Sequence, residues 1–163
     1  MFRRTIIGLV LTLAVTALLS AQASDPLAGT WVQNLAKSKY SPPELANRSS
    51  TTRMTVTKAS VTVVNDSVDA QGRKTHLEYT ATFDGKDTPV KATIDGKPSP
   101  NQDAVAWKKI DDYTYENVAK LKGKSLTTTR VVVSKDGKTR TNTVTGTNAQ
   151  GQAVSNVLVW EKQ

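Results

Sequence analysis

Cysteine is absent from this 163-residue chain, and histidine occurs once, at His76. Disulfide staples, thiolate-held zinc, iron–sulfur clusters and cysteine nucleophiles are therefore excluded, and so is a multi-histidine metal centre. Gly-rich phosphate loops, Walker-type motifs and Ser-centred nucleophile elbows are missing too. Aromatic residues make up only 6% of the chain, so Trp31, Trp107 and Trp160 carry unusual weight in any core. What is present is a polar chain, 37% hydrophobic and 22% charged, with a formal charge of +8. That length and balance suit one folded domain rather than a disordered chain.

The one long apolar stretch lies at the start. Arg3 and Arg4 precede Ile6–Leu19, and Ala21-Gln22-Ala23 follows with the small-x-small pattern that signal peptidases cut. The stretch is shorter than the roughly 20 residues a bilayer-spanning helix needs. Residues 1–23 are accordingly expected to be a cleaved signal peptide, with no transmembrane anchor and a periplasmic or secreted destination. The remainder, 24–163, is expected to be the folded domain, its charge reduced to +6 by loss of the two arginines.

Beyond residue 23 threonine and valine dominate, and their branched Cβ atoms suit a pleated sheet. Period-2 alternation recurs between turn signals, while 3.6-residue periodicity is absent. Ten strands are expected: Ala28–Asn34, Thr51–Ala59, Val61–Val68, Lys74–Phe83, Thr88–Ile94, Ala104–Ile110, Tyr113–Leu121, Ser125–Ser134, Lys138–Thr147 and Gln152–Glu161. Turns such as Gln71-Gly72, Asp84-Gly85-Lys86 and Lys135-Asp136-Gly137 join them as antiparallel hairpins. Two Pro-containing stretches, Leu35–Ser50 and Asp95–Asp103, read as longer loops. Ten sequential strands with one apolar face would expose edges and hydrophobic area if left flat, so an all-β, up-and-down antiparallel β-barrel is expected.

Gly29-Thr30-Trp31 on the first strand, followed by hairpins, resembles the calycin superfamily of lipocalins and fatty-acid-binding proteins, and more closely small exported bacterial lipocalin-like proteins. Thr127-Thr128-Thr129-Arg130, the Asp136-Gly137-Lys138 turn and Val159-Trp160-Glu161-Lys162 fall in the order seen in the fatty-acid-binding branch. The resemblance implies a barrel that holds a small hydrophobic or amphipathic ligand. Two departures stand out. Leu35–Ser50 is too short for that branch's two-helix lid, and Leu158 occupies the place of an arginine that holds a carboxylate there.

The expected ligand-binding wall is Tyr79, Phe83, Trp107, Leu158 and Trp160, with Arg130 as its polar anchor. Trp31 is expected to plug one end. Trp107 and Trp160 either line a cavity or fill the core. Arg130 is read as facing inward with Leu126, Thr128 and Val132, where a ligand anion, stacking on Trp31 or pairing with Glu116 would satisfy it. His76 and Glu78 share a face and lack a third metal ligand, so they are read as surface residues. The ladder Thr139, Thr141, Thr143, Thr145 and Thr147 is explained by β propensity. No catalytic residue, metal or cofactor is assigned, and nucleic acid is not expected as a partner. The alternative is a barrel with a filled core, acting through its spread basic surface on anionic envelope polymers or lipids.

Overall fold

The structure is a computed structural model that describes residues 24–163; the expected signal peptide lies outside the described residues. Twelve strands follow in order: β1 Gly29–Lys39, β2 Ser49–Val56, β3 Ser60–Val68, β4 Lys74–Thr82, β5 Thr88–Pro89, β6 Lys91–Ile94, β7 Lys97–Pro98, β8 Ala104–Lys109, β9 Thr114–Leu121, β10 Lys124–Val133, β11 Thr139–Thr147 and β12 Ala153–Lys162. A single 3-10 turn, Pro43–Leu45, is the only helical element among the described residues. All twelve strands belong to one antiparallel sheet, ordered β5-β8-β9-β10-β11-β12-β1-β2-β3-β4-β6-β7.

Sequential hairpins account for that order, and the first strand closes onto the last. Trp31 lies opposite Lys162 and Gln33 opposite Trp160. On its other side β1 pairs with β2, Trp31 facing Thr52. The curled sheet forms a half-barrel whose free margins meet at one isolated bridge, Asp84 with Lys108.

The expected fifth strand is corrected by the structure. Thr88–Ile94 breaks into β5 and β6 because the chain changes partner midway. Thr88 pairs with Val105 of β8, whereas Lys91 pairs with Glu78 of β4. Pro89 has no N–H to extend a ladder, and Val90 N–H donates instead to Asp103 O at 2.9 Å. The first expected loop is shorter than read, since β1 runs on to Lys39 past an irregularity between Asn34 and Lys39. Within the second, β7 forms a minimal hairpin with β6.

Alternation directs one side of each strand inward. Trp31, Met54, Val61, Val63, Ala81, Trp107, Tyr115, Val131, Val133 and Trp160 belong to a single buried cluster. The register places these residues toward one end of the half-barrel, where β1 begins and β12 finishes.

Candidate ligand-binding interior

One end of the half-barrel is sealed by a plug of named contacts. Leu27 and Trp31 have no solvent exposure, and the Trp31 indole N–H donates to Leu27 O at 2.9 Å. Asp25 straps this segment down. Its carboxylate accepts from Lys109 Nζ at 2.8 Å, from the Tyr115 hydroxyl and from the Leu27 N–H. Burial opposes the charge on Asp25, but those three donors outweigh it and hold its carboxyl below the usual value of 3.8. Burial, joined by the same carboxylate, pushes the Tyr115 phenol up. Gly29 adopts φ +130, with the Lys162 side chain lying where a Cβ would point, 3.2 Å from its Cε. Lys162 Nζ in turn donates to Pro26 O at 2.9 Å.

Above the plug lies a buried cation. Arg140 is 1% exposed. Its guanidinium carbon sits 4.5 Å from the Trp160 ring centre and 5.2 Å from that of Trp31, and Nη1 reaches Met54 Sδ at 3.0 Å. Arg140 takes part in none of the ion pairs among the described residues. Burial pushes it down to about 9, so it remains charged at neutral pH. Its Nε, Trp160 Nε1, Gln33 Oε1 and Asn142 Oδ1 are all buried without a hydrogen-bond partner among the described residues. These four atoms belong to adjacent strands: Gln33 lies opposite Trp160, Trp160 opposite Arg140, and Asn142 opposite Leu158. Such a concentration of unpaired polar atoms is costly in an apolar surround.

Further from the plug the interior changes character. Leu77, Tyr79 and Leu158 pack against the buried cluster but are only partly buried. Polar side chains share their layer: Asn65 donates to Ser50 Oγ at 3.0 Å and to Thr52 Oγ1 at 2.8 Å. Gln33 donates to the Tyr40 hydroxyl at 2.6 Å. At the open end a depression of about 710 Å³ is lined by residues that include Leu45, Thr75, Ile94, Pro98, Pro100 and Gln150. A larger groove, about 990 Å³, lies outside the plug and is rimmed by Lys58, Lys109, Lys135, Lys138 and Lys162.

The structure brings five of the six expected site residues together. Trp107 and Trp160 are core members, and Tyr79, Phe83 and Leu158 pack on that core. Trp107 Nε1 donates to the Tyr79 hydroxyl at 3.0 Å, and burial pushes that phenol up. Phe83 meets the Trp107 ring edge-on, centroids 6.5 Å apart. Arg130 is the exception, and its expected inward orientation is corrected. It is exposed, and the buried residues beside it are Val131 and Val133. Leu126 falls within a register irregularity between Ser125 and Thr127, so it does not share a phase with the residues beyond it. His76 lies on the outer surface, its Nδ1 2.7 Å from Asp66.

Arg140, Gln33 and Asn142 were missed by reading strands singly. The signal was the hairpin at Asn148–Gly151: pairing Thr147 with Ala153 and counting back brings Arg140 opposite Trp160. The fold and interior thus define an antiparallel β half-barrel with a sealed, cationic floor. No family model matches the sequence, and no curated protein matches it. No described helix is long and apolar enough to cross a membrane.

Proposed function

We propose that this chain is an exported lipocalin-like protein that holds a small hydrophobic or amphipathic molecule in the upper part of its barrel. The observation that carries this reading is the gradient along the interior. Trp31 and Tyr115 are wholly buried at the floor, whereas Leu77, Tyr79 and Leu158 stay partly accessible above it. Partly accessible apolar side chains, a few polar groups and one sealed end are the ingredients of small-molecule sites. The Arg140 charge, without a carboxylate partner among the described residues, favours a ligand whose polar end accepts hydrogen bonds. Phe83 and Trp107 buttress this wall from below.

Titration of a fluorescent polyene fatty acid and of its methyl ester tests the reading. Saturable binding of either at micromolar concentration is expected, weakened at least tenfold by Leu158→Arg with the fold retained by circular dichroism. Failure of both probes to bind the native protein would refute it.

One observation favours a second reading, in which the protein contacts anionic envelope polymers or lipids. Five lysines rim the groove outside the plug, against three aspartates. Salt-sensitive retention on an anionic polysaccharide, lost in Lys135→Glu/Lys138→Glu, would support it.

A further inference from the structure

The Arg140 guanidinium has no opposite charge beside it among the described residues. The buried polar and charged residues are Gln33, Ser50, Thr52, Thr114, Arg140 and Asn156, and none of them is an acid. Asp25, the acid at the floor, is already held by Lys109, Tyr115 and the Leu27 N–H. Two indole faces and a thioether ease the burial of the cation but neutralise nothing. The floor is short of one negative charge.

The same spot is short of hydrogen-bond partners. Arg140 Nε and Trp160 Nε1 are buried donors with no acceptor among the described residues, and the two residues lie directly opposite each other on β11 and β12. Gln33 lies opposite Trp160 on its other side, and Asn142 follows Arg140 on the same face of β11. Both end in a carboxamide, and a half-turn of that group exchanges its oxygen for its NH2. For Gln33 the half-turn suits the neighbouring hydroxyl. Its contact with Tyr40, at 2.6 Å, is the usual length of a hydroxyl donating to an oxygen. Only the 3.4 Å contact to Ser38 is given up. So turned, the two carboxamides add N–H groups to those of Arg140 and Trp160, and four neighbouring side chains present donors that lack an acceptor. A water molecule would pair some of these atoms and leave the charge as it is. An anion answers both deficits.

We propose that a small monovalent anion, a halide or a carboxylate group, occupies the floor of the half-barrel against Arg140, Trp160, Gln33 and Asn142. One negative charge balances the guanidinium, and the ion accepts from donors carried on three adjacent strands. Asn142 and Leu158, opposite each other in the layer above, are only half-buried, so the ion has a way in from the interior. The site needs no apolar molecule, and the ion binds whether or not the upper interior is filled.

Urea denaturation tests this in chloride, bromide and acetate, each raised across roughly 1–200 mM with the ionic strength held constant by sodium sulfate. The wild-type midpoint is expected to climb and then level off; an anion at ten times its dissociation constant multiplies the folding equilibrium constant about elevenfold. A rise in the halides assigns a free ion and a rise in acetate a carboxylate, and either supports the site. Arg140→Met removes the charge and sets the baseline of general salt effects; it should differ little from wild type where none of the three anions is present. Trp160→Phe keeps an aromatic ring without the N–H and is expected to weaken the ion at least tenfold. Asn142→Asp supplies a carboxylate from the chain itself, so its midpoint should be high and indifferent to all three anions. A wild-type response no larger than that of Arg140→Met overturns the proposal. So does an Asn142→Asp variant that responds as strongly as wild type.

Discussion

Exchanging Arg140 separately for methionine and for alanine tests how the half-barrel floor carries a charge that has no counter-ion among the described residues. The guanidinium is held by two indole faces, at 4.5 and 5.2 Å, and by one contact to Met54 Sδ. Desolvated cation–π contacts contribute about 2 kcal/mol each. Burying an ion costs several kcal/mol when no opposite charge repays it. These terms nearly cancel, so a flexible apolar side chain of similar length should serve almost as well, and Arg140→Met is expected within about 1.5 kcal/mol of wild type. Arg140→Ala keeps none of the packing. A void of roughly 80 Å³ at about 24 cal/mol per Å³ costs about 2 kcal/mol, and the lost contacts bring the total to about 2–4 kcal/mol. Urea denaturation followed by tryptophan emission reads both variants from their midpoints and slopes. An alanine variant as stable as the methionine one would show that the floor is not packed around this side chain. A methionine variant destabilised by more than about 3 kcal/mol would show that the charge itself holds the plug together.

Three further outcomes follow from single contacts. Gly146 has φ +135, and an added Cβ would fall against the Leu126 carbonyl and 2.9 Å from Thr127 Cα; Gly146→Ala is expected to cost about 2 kcal/mol or more in urea denaturation, because both obstacles are backbone. The Asp25 carboxyl is held below its unfolded value of 3.8, so its contribution is complete above that value and lost as pH falls through the lowered one; Asp25→Asn should flatten the acid limb of the stability curve below about pH 4, and an unchanged limb would refute the role of the strap. Tyr79→Phe removes the acceptor of the Trp107 indole and is expected to cost about 1–3 kcal/mol, with a shift in tryptophan emission that a purely apolar contact would not produce.

The strands were largely legible because threonine–valine alternation and Asp-Gly or Gly turns act locally. Leu77, Tyr79 and Ala81 do share the inward side of β4, as Leu158 and Trp160 do on β12. What escaped was decided between strands. Arg130-Val131-Val132-Val133 is apolar enough on both faces to allow either phase. The irregularity at Ser125–Thr127 then separates Leu126 from the phase of the following residues, so Arg130 was turned inward on a false reference. Arg140 had the opposite fate. Its own strand reads as a threonine ladder, and only the register with Trp160 on β12 reveals that the arginine lies on the buried side. The split of β5 from β6 likewise depends on two partner strands distant in sequence.

The central claim is that the interior above Arg140, rather than any outer surface, receives the ligand. Nuclear magnetic resonance of methyl-labelled protein with a bound fatty acid probe tests it most directly. Intermolecular contacts from the acyl chain to the Leu77 and Leu158 methyls are the expected result. Contacts confined to Val132 and Val157 would place the probe on the outside wall and contradict the account.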